Sequence, residues 1–180
     1  YLVLRKILDK IYFRIVKRGG TIIVQNKRDE DYFIEITGKR DQIIRTNGSG
    51  LSKLEFLRLQ KVSKNETPVI GFMSRALPEK GVDEFYELAR VNRSSNLIFR
   101  HIGHFGKGKY DEISIHHTAK DSNVEYFNFT TNSFDEIKKI DIIIIPSSYY
   151  EGVSRLFIEA VCSGCMVIAR RTPGVEDYEN

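Results

Sequence analysis

The sequence predicts an α/β fold with a parallel sheet flanked by helices. The main observation is the regular alternation of short apolar runs with amphipathic segments between residues 69 and 169, the pattern of successive βαβ units with right-handed crossovers. Composition agrees. Of the 180 residues 41% are hydrophobic and 29% charged, the balance of a globular chain rather than a disordered one.

Residues 2–17 show helical periodicity, with Lys6, Lys10, Arg14 and Lys17 on one face and Leu4, Leu8, Ile11 and Ile15 on the other. Gly19-Gly20 ends that helix. A short strand at 21–24, a helix at 27–36 and a short strand at 43–44 follow, then the loop Thr46-Asn-Gly-Ser-Gly50. The regular series opens with a strand at 69–73, and helix 82–91 turns Phe85, Leu88 and Ala89 inward. Strand 97–102, helix 110–118, strand 124–127, helix 134–140, the buried strand 142–145, helix 155–162 and strand 166–169 complete it. Thr172-Pro-Gly174 carries turn signals with no strand or helix after it, and the opening helix and strand stand outside the regular series. The expected organisation is residues 1–47 as the end of one α/β domain with an interdomain crossover. Residues 48–180 would be most of a second domain, incomplete at its C-terminal side.

The formal net charge of +4 suits an anionic ligand, an acidic membrane surface or nucleic acid without choosing among them. No aromatic-rich basic patch of a nucleic-acid-binding module is present, so nucleic acid is not an expected partner. No run reaches the length of a membrane span, residues 2–16 lack a cleavage pattern, and two cysteines are too few for a secreted disulfide framework. A cytoplasmic location is expected. The basic stripe of the first helix is a candidate for peripheral contact with anionic lipid at the inner membrane surface, or simply the solvated face of a helix.

Two motifs could carry chemistry. Ser74-Arg-Ala-Leu-Pro-Glu-Lys-Gly81 leaves a strand and enters a helix. There Pro78 stiffens the turn, Gly81 allows close backbone approach, and Arg75 and Lys80 could hold a diphosphate, the arginine as a fork of donors and the lysine as a point charge. A solvated loop with surface cations is the alternative. Glu151-Gly-Val-Ser-Arg-Leu-Phe-Ile-Glu159 places one carboxylate in a loop after a buried strand and a second inside the next helix. Ligands of open α/β sheets bind at that carboxyl edge, a helix N-terminus there favours phosphate, and carboxylates accept hydrogen bonds from sugar hydroxyls. Together these features suggest a nucleotide-sugar site, against the alternative of a first-turn acid and a salt-bridged mid-helix glutamate.

With Ser-Arg-x-x-x-x-Lys-Gly, Glu-Gly-x-x-x-x-x-x-Glu and Ser-Gly-x-x-Val-Ile in this order, the sequence resembles the donor-binding, C-terminal half of a family 4 glycosyltransferase with the GT-B fold. The resemblance covers roughly residues 48–177. Ile43-Ile-Arg-Thr-Asn-Gly-Ser-Gly50 resembles the interdomain crossover of bacterial sugar transferases. Two positions depart from the family pattern, Asn128 where Gly is common and Met166 where Pro is common.

The resemblance implies a Rossmann-like domain, one half of a GT-B enzyme. It implies retaining, metal-independent transfer of a hexose or N-acetylhexosamine from a nucleoside-diphosphate sugar, UDP-linked by preference, with no cofactor. The acceptor would be a glycan or lipid-linked sugar in cell-surface polysaccharide synthesis. Arg75 and Lys80 would bind the diphosphate and stabilise the leaving group, as preorganised charge. Glu151 would hold the donor sugar, Gly152 and Val153 would offer backbone contacts near the phosphates, Glu159 would accept from the ribose hydroxyls, and Phe129 would lie beside the base. These residues alone are expected to bind nucleotide weakly and transfer nothing. Another GT-B nucleotide-sugar enzyme, such as an epimerase, and a non-catalytic nucleotide-binding module stay open.

Other features point to packing. Cys162-Ser-Gly-Cys165 has redox spacing but lies at a helix C-terminus, where the dipole does not favour a thiolate. His101, His104, His116 and His117 lack a metal-ligand pattern, although His104 follows a strand at the active edge. Gly103-His-Phe-Gly106-Lys-Gly108 does not match the dinucleotide fingerprint and reads as a flexible loop near the site.

Overall fold

The computed structural model describes residues 2–60, 65–106 and 110–178. Gly108 and Lys107, the end of the glycine-rich loop, lie outside the described residues. The chain forms two compact units, each described on its own.

The first unit comprises the described parts of residues 1–50, 150–154 and 173–180. It holds α1 (Leu2–Lys17), β1 (Ile22–Val24), α2 (Lys27–Thr37) and β2 (Ile43–Arg45), with β1 and β2 paired in parallel. Asn26 caps α2 by accepting from the Asp29 N–H at 2.8 Å, and Gly38 stops the helix in the left-handed region. Val16, Val24 and Ile43 make a small core with Ile22, Phe33 and Ile34. The apolar positions of α1 are exposed except Val16, with Leu4 at 59% and Ile11 at 45%.

The second unit comprises the described parts of residues 51–149 and 155–172. After α3 (Lys53–Leu59) come β3 (Val69–Met73), α4 (Val82–Val91), β4 (Ile98–Ile102), α5 (Glu112–Ser122), β5 (Val124–Phe127) and α6 (Ser133–Ile137). β6 (Ile142–Ile145), α7 (Arg155–Cys162) and β7 (Met166–Ala169) follow. The five strands are parallel in the order β5-β4-β3-β6-β7, as the alternation predicts. Successive residues of a strand face opposite sides. Ile70 and Phe72 therefore join Phe85, Tyr86, Phe99 and Ile115 in a core under α4 and α5. Val69, Ile102 and Ile143 join Leu59, Ile137 and Ala160 in a second core under α3, α6 and α7. Both faces are covered, the usual condition of a parallel sheet.

Among the described residues, two α-helices were not expected from the sequence. One is α3, whose start carries a complete capping box between Ser52 and Glu55. The other is α8 (Pro173–Glu176), where the sequence read only a turn; proline at a first helical position needs no N–H partner. α5 starts two residues later than expected, at the Asp111 cap, and runs on to Asn123, which ends it with φ +57°. α6 stops at Ile137 instead of 140, and Gly164 (φ +78°) follows the end of α7.

Candidate functional site

In the second unit the loops after β3, β4 and β5 converge with the first turns of α7 at the carboxyl edge of the sheet. They enclose a cleft of about 320 Å³, lined by Ser74 and Arg75, by Gly103 and His104, by Phe129, Thr130 and Ser133, and by Leu156 and Glu159. Strand order reverses between β3 and β6, so the cleft opens where α/β sheets take their ligands.

The loops are stitched together from inside the core. His101, on β4, is fully buried against Phe72, Tyr86 and Tyr126. Its Nε2 lies 2.9 Å from the Ser74 carbonyl and its Nδ1 2.9 Å from the Tyr86 hydroxyl. A carbonyl only accepts, so Nε2 carries the proton and Tyr86 donates to Nδ1. Burial holds the imidazole down to about 4, with the Ser74 hydrogen bond opposing weakly. The ring is therefore neutral at neutral pH and fixes the residue preceding Arg75. Gly103 completes the lock. Its N–H donates to Phe127 at 3.0 Å, and its carbonyl accepts from the Tyr126 hydroxyl at 2.9 Å. A Cβ there would stand 1.9 Å from the Ser74 carbonyl oxygen. The Ala76 N–H donates to the His104 carbonyl at 2.9 Å, which ties the β3 loop to the β4 loop again.

Arg75 is exposed, and its guanidinium has no hydrogen bond, ion pair or ring contact among the described residues. Its guanidinium donors are available to a ligand. His104 and Phe129 stack face to face at the cleft, with centroids 4.6 Å apart and an interplanar angle of 6°. Glu159 is buried at 6% exposure, and its Oε1 accepts from Arg155 Nε at 2.7 Å. Burying a carboxylate without such a partner would be costly.

Of the residues expected from the sequence, Arg75, Phe129 and Glu159 share this cleft. Lys80 does not line it. It ends a 3₁₀ turn, Pro78–Lys80, with its ammonium 5.1 Å from the centre of the Tyr149 ring. Glu151, Gly152 and Val153 belong to the first unit. The close approach expected at Gly152 is made to protein: a Cβ there would meet Gln25 Oε1 at 2.5 Å. Gly81 likewise has φ +80° and packs on Pro146, whose Cγ would lie 2.5 Å from a Cβ. Cys165 is buried, with its thiol 3.1 Å from the Ile140 carbonyl, and neither cysteine is in a disulfide.

Sequence reasoning missed the structural role of His101 and the stacked pair, and it weighed a salt-bridged Glu159 without naming Arg155 as the partner. The first had a signal. His101 shares the inward register of Phe99 on β4, so a polar ring there requires buried partners.

A parallel α/β domain with a cleft at the reversal of strand order has the architecture of the doubly wound class, whose ligands bind at that reversal. The chain belongs to the glycosyl transferases group 1 family, whose family model matches residues 55–180. An uncharacterized 42.6 kDa protein in the cps region of Klebsiella pneumoniae is 33% identical over 108 residues, which is 60% of this chain and 27% of that protein. Among solved structures, HepE of Anabaena in complex with UDP-glucose is similar with a TM-score of 0.66 at 17% identity, over 89% of this chain and 47% of HepE. TarM of S. aureus, solved as a mutant with UDP, fondaparinux and α-GlcNAc-glycerol, has a TM-score of 0.69 at 21% identity, over 89% of this chain and 32% of TarM. The matched region thus spans less than half the length of each of these proteins, and the structural likeness is one of fold. No helix among the described residues is long and apolar enough to cross a membrane.

Proposed function

We propose that this chain is the donor-binding part of a family 4 glycosyltransferase, with residues 48–180 forming most of the C-terminal domain and residues 1–47 the end of its partner. The observation that carries the reading is one cleft combining an arginine without a partner among the described residues, an aromatic platform and a buried carboxylate. A nucleoside diphosphate matches each of these: anionic phosphates for Arg75, a flat base for Phe129 and a vicinal diol for Glu159. The UDP-glucose complex of HepE supports UDP as the nucleotide, and the cps-region relative supports a role in cell-surface polysaccharide synthesis.

In this reading a hexose or N-acetylhexosamine passes with retention, without a metal or cofactor, to a glycan or lipid-linked acceptor. Arg75 offsets the charge of the leaving diphosphate; the roles of Lys80 toward the diphosphate, Glu151 toward the sugar, and Gly152 and Val153 toward the phosphates are those the family resemblance implies. The protein works on the cytoplasmic side, with the basic face of α1 as its peripheral membrane contact. On this reading residues 1–180 alone bind nucleotide weakly and transfer nothing.

The test is calorimetric titration with UDP, GDP and ADP. UDP is expected to bind tightest. Arg75→Ala is expected to weaken it about tenfold or more, the loss of a charge-assisted hydrogen bond. Equal affinity in Arg75→Ala and the parent chain removes the diphosphate assignment.

A further inference from the structure

We infer that Arg155, clamped by Glu55, is the positioning residue that aims the Glu159 carboxylate and so sets discrimination for a vicinal diol in the cleft. The inference rests on the donor-site reading above and adds two residues to it. Arg155 is not among the residues that line the cleft. It acts through Glu159.

The geometry is a three-member chain across two helices. Arg155 Nε donates to Glu159 Oε1 at 2.7 Å, one turn along α7. Its Nη2 donates to Glu55 Oε1 on α3, 100 residues away in sequence, at 2.5 Å. The other Glu55 oxygen is already committed, accepting from the Ser52 N–H at 2.7 Å in the capping box of α3. Glu55 therefore cannot turn without uncapping its helix. These bonds, the Ser52 cap first and Arg155 after it, lower the Glu55 carboxyl to about 2. The guanidinium is gripped at both ends, which removes the rotamer freedom that weakens an ordinary exposed ion pair.

The consequence falls on Glu159. One of its oxygens has a protein donor, and among the described residues the other has none, so the cleft-lining carboxylate keeps an oxygen for ligand hydroxyls. Without Arg155 a carboxylate at 6% exposure would lose its counter-charge and the hydrogen bond that holds its orientation. Its reading of a diol then changes, without touching the base or phosphate contacts.

The experiment measures the affinity ratio between UDP and 2′,3′-dideoxy-UDP for the chain and for Arg155→Leu, Arg155→Lys, Glu55→Gln and Glu159→Gln. The parent chain is expected to favour UDP about tenfold or more, since each hydroxyl donates to a charged acceptor. Glu159→Gln and Arg155→Leu are expected to bring the ratio to within about twofold of one, with Glu55→Gln and Arg155→Lys intermediate. A general loss of stability would weaken both ligands equally and leave the ratio unmoved. If Arg155→Leu and Glu55→Gln keep the parent ratio while Glu159→Gln loses it, the positioning role is overturned and the donor site stands. If the parent chain or Glu159→Gln shows that the diol is not read by Glu159, the donor-site assignment falls and the inference with it. Should Arg155→Leu fail to fold, Glu55→Gln and Arg155→Lys carry the same comparison.

Discussion

Acidification from about pH 7.5 to about pH 4 is expected to remove roughly 3 kcal/mol of folding stability through His101 alone. The imidazole is held at about 4 by burial, against 6.5 in an open chain. Above pH 6.5 neither state carries the proton, and the full contribution is present. Between 6.5 and about 4 the unfolded chain takes up a proton that the folded core refuses, so stability falls with pH. By pH 5 the loss is about 2 kcal/mol, and below about pH 4 no more is added. The groups facing the ring do not titrate in this window. Tyr86 and Tyr126 are phenols that burial pushes above their usual value, and Phe72 is apolar.

The check is urea unfolding across this range for the parent chain and His101→Gln. The variant is expected to be less stable at neutral pH, because Tyr86 and Ser74 lose well-placed partners. Its stability should nonetheless change less between pH 7 and pH 5. A variant with the parent's full pH slope would show that the ring is not the proton-linked group.

Gly103→Ala is expected to have a comparable effect by a different route. A methyl carbon would stand 1.9 Å from the Ser74 carbonyl oxygen and 2.6 Å from its carbon. Both partners are backbone, so neither can swing aside as a side chain would. Overpacking commonly costs about 1–3 kcal/mol, and a backbone clash belongs at the top of that range. For a chain of this length that lowers the melting temperature by roughly 6 °C or more. The same clash pushes away Ser74, the carbonyl that His101 holds beside Arg75. Nucleotide affinity should therefore fall together with stability. A variant that melts and binds UDP as the parent does would show that the three loops part easily, and the lock described here would be wrong.

Much of the architecture was legible beforehand because it rests on local rules. Apolar runs such as Ile142–Ile145 alternating with amphipathic segments such as Val82–Val91 predict a parallel sheet without knowledge of any contact. α3 escaped although its cap was visible as Ser52 and Glu55 at the right spacing. Leu54, Phe56 and Leu57 are exposed, and only Leu59 of that helix is buried, so no inward stripe announced it. The limits of α5 and α6 shifted because caps and turns set helix ends, not periodicity.

The site divides along the same line. Residue types and their order named Arg75 and Glu159 as candidates, because a cation after a strand and an acid in the following helix have chemistry that does not depend on their neighbours, and the family resemblance added Phe129. Packing decided which of them meet. Lys80 lies five residues from Arg75, yet a 3₁₀ turn seats it on Tyr149. Glu55 and Arg155 stand 100 residues apart and share a hydrogen bond. The sequence by itself determined the α/β class and the cast of candidate groups, since hydrophobic period and functional-group chemistry are carried in the residues. Only the tertiary structure decided the neutral buried His101, the clamp on Glu159 and the separation of Lys80 from the cleft, because each depends on distances between strands and helices that local preference does not encode.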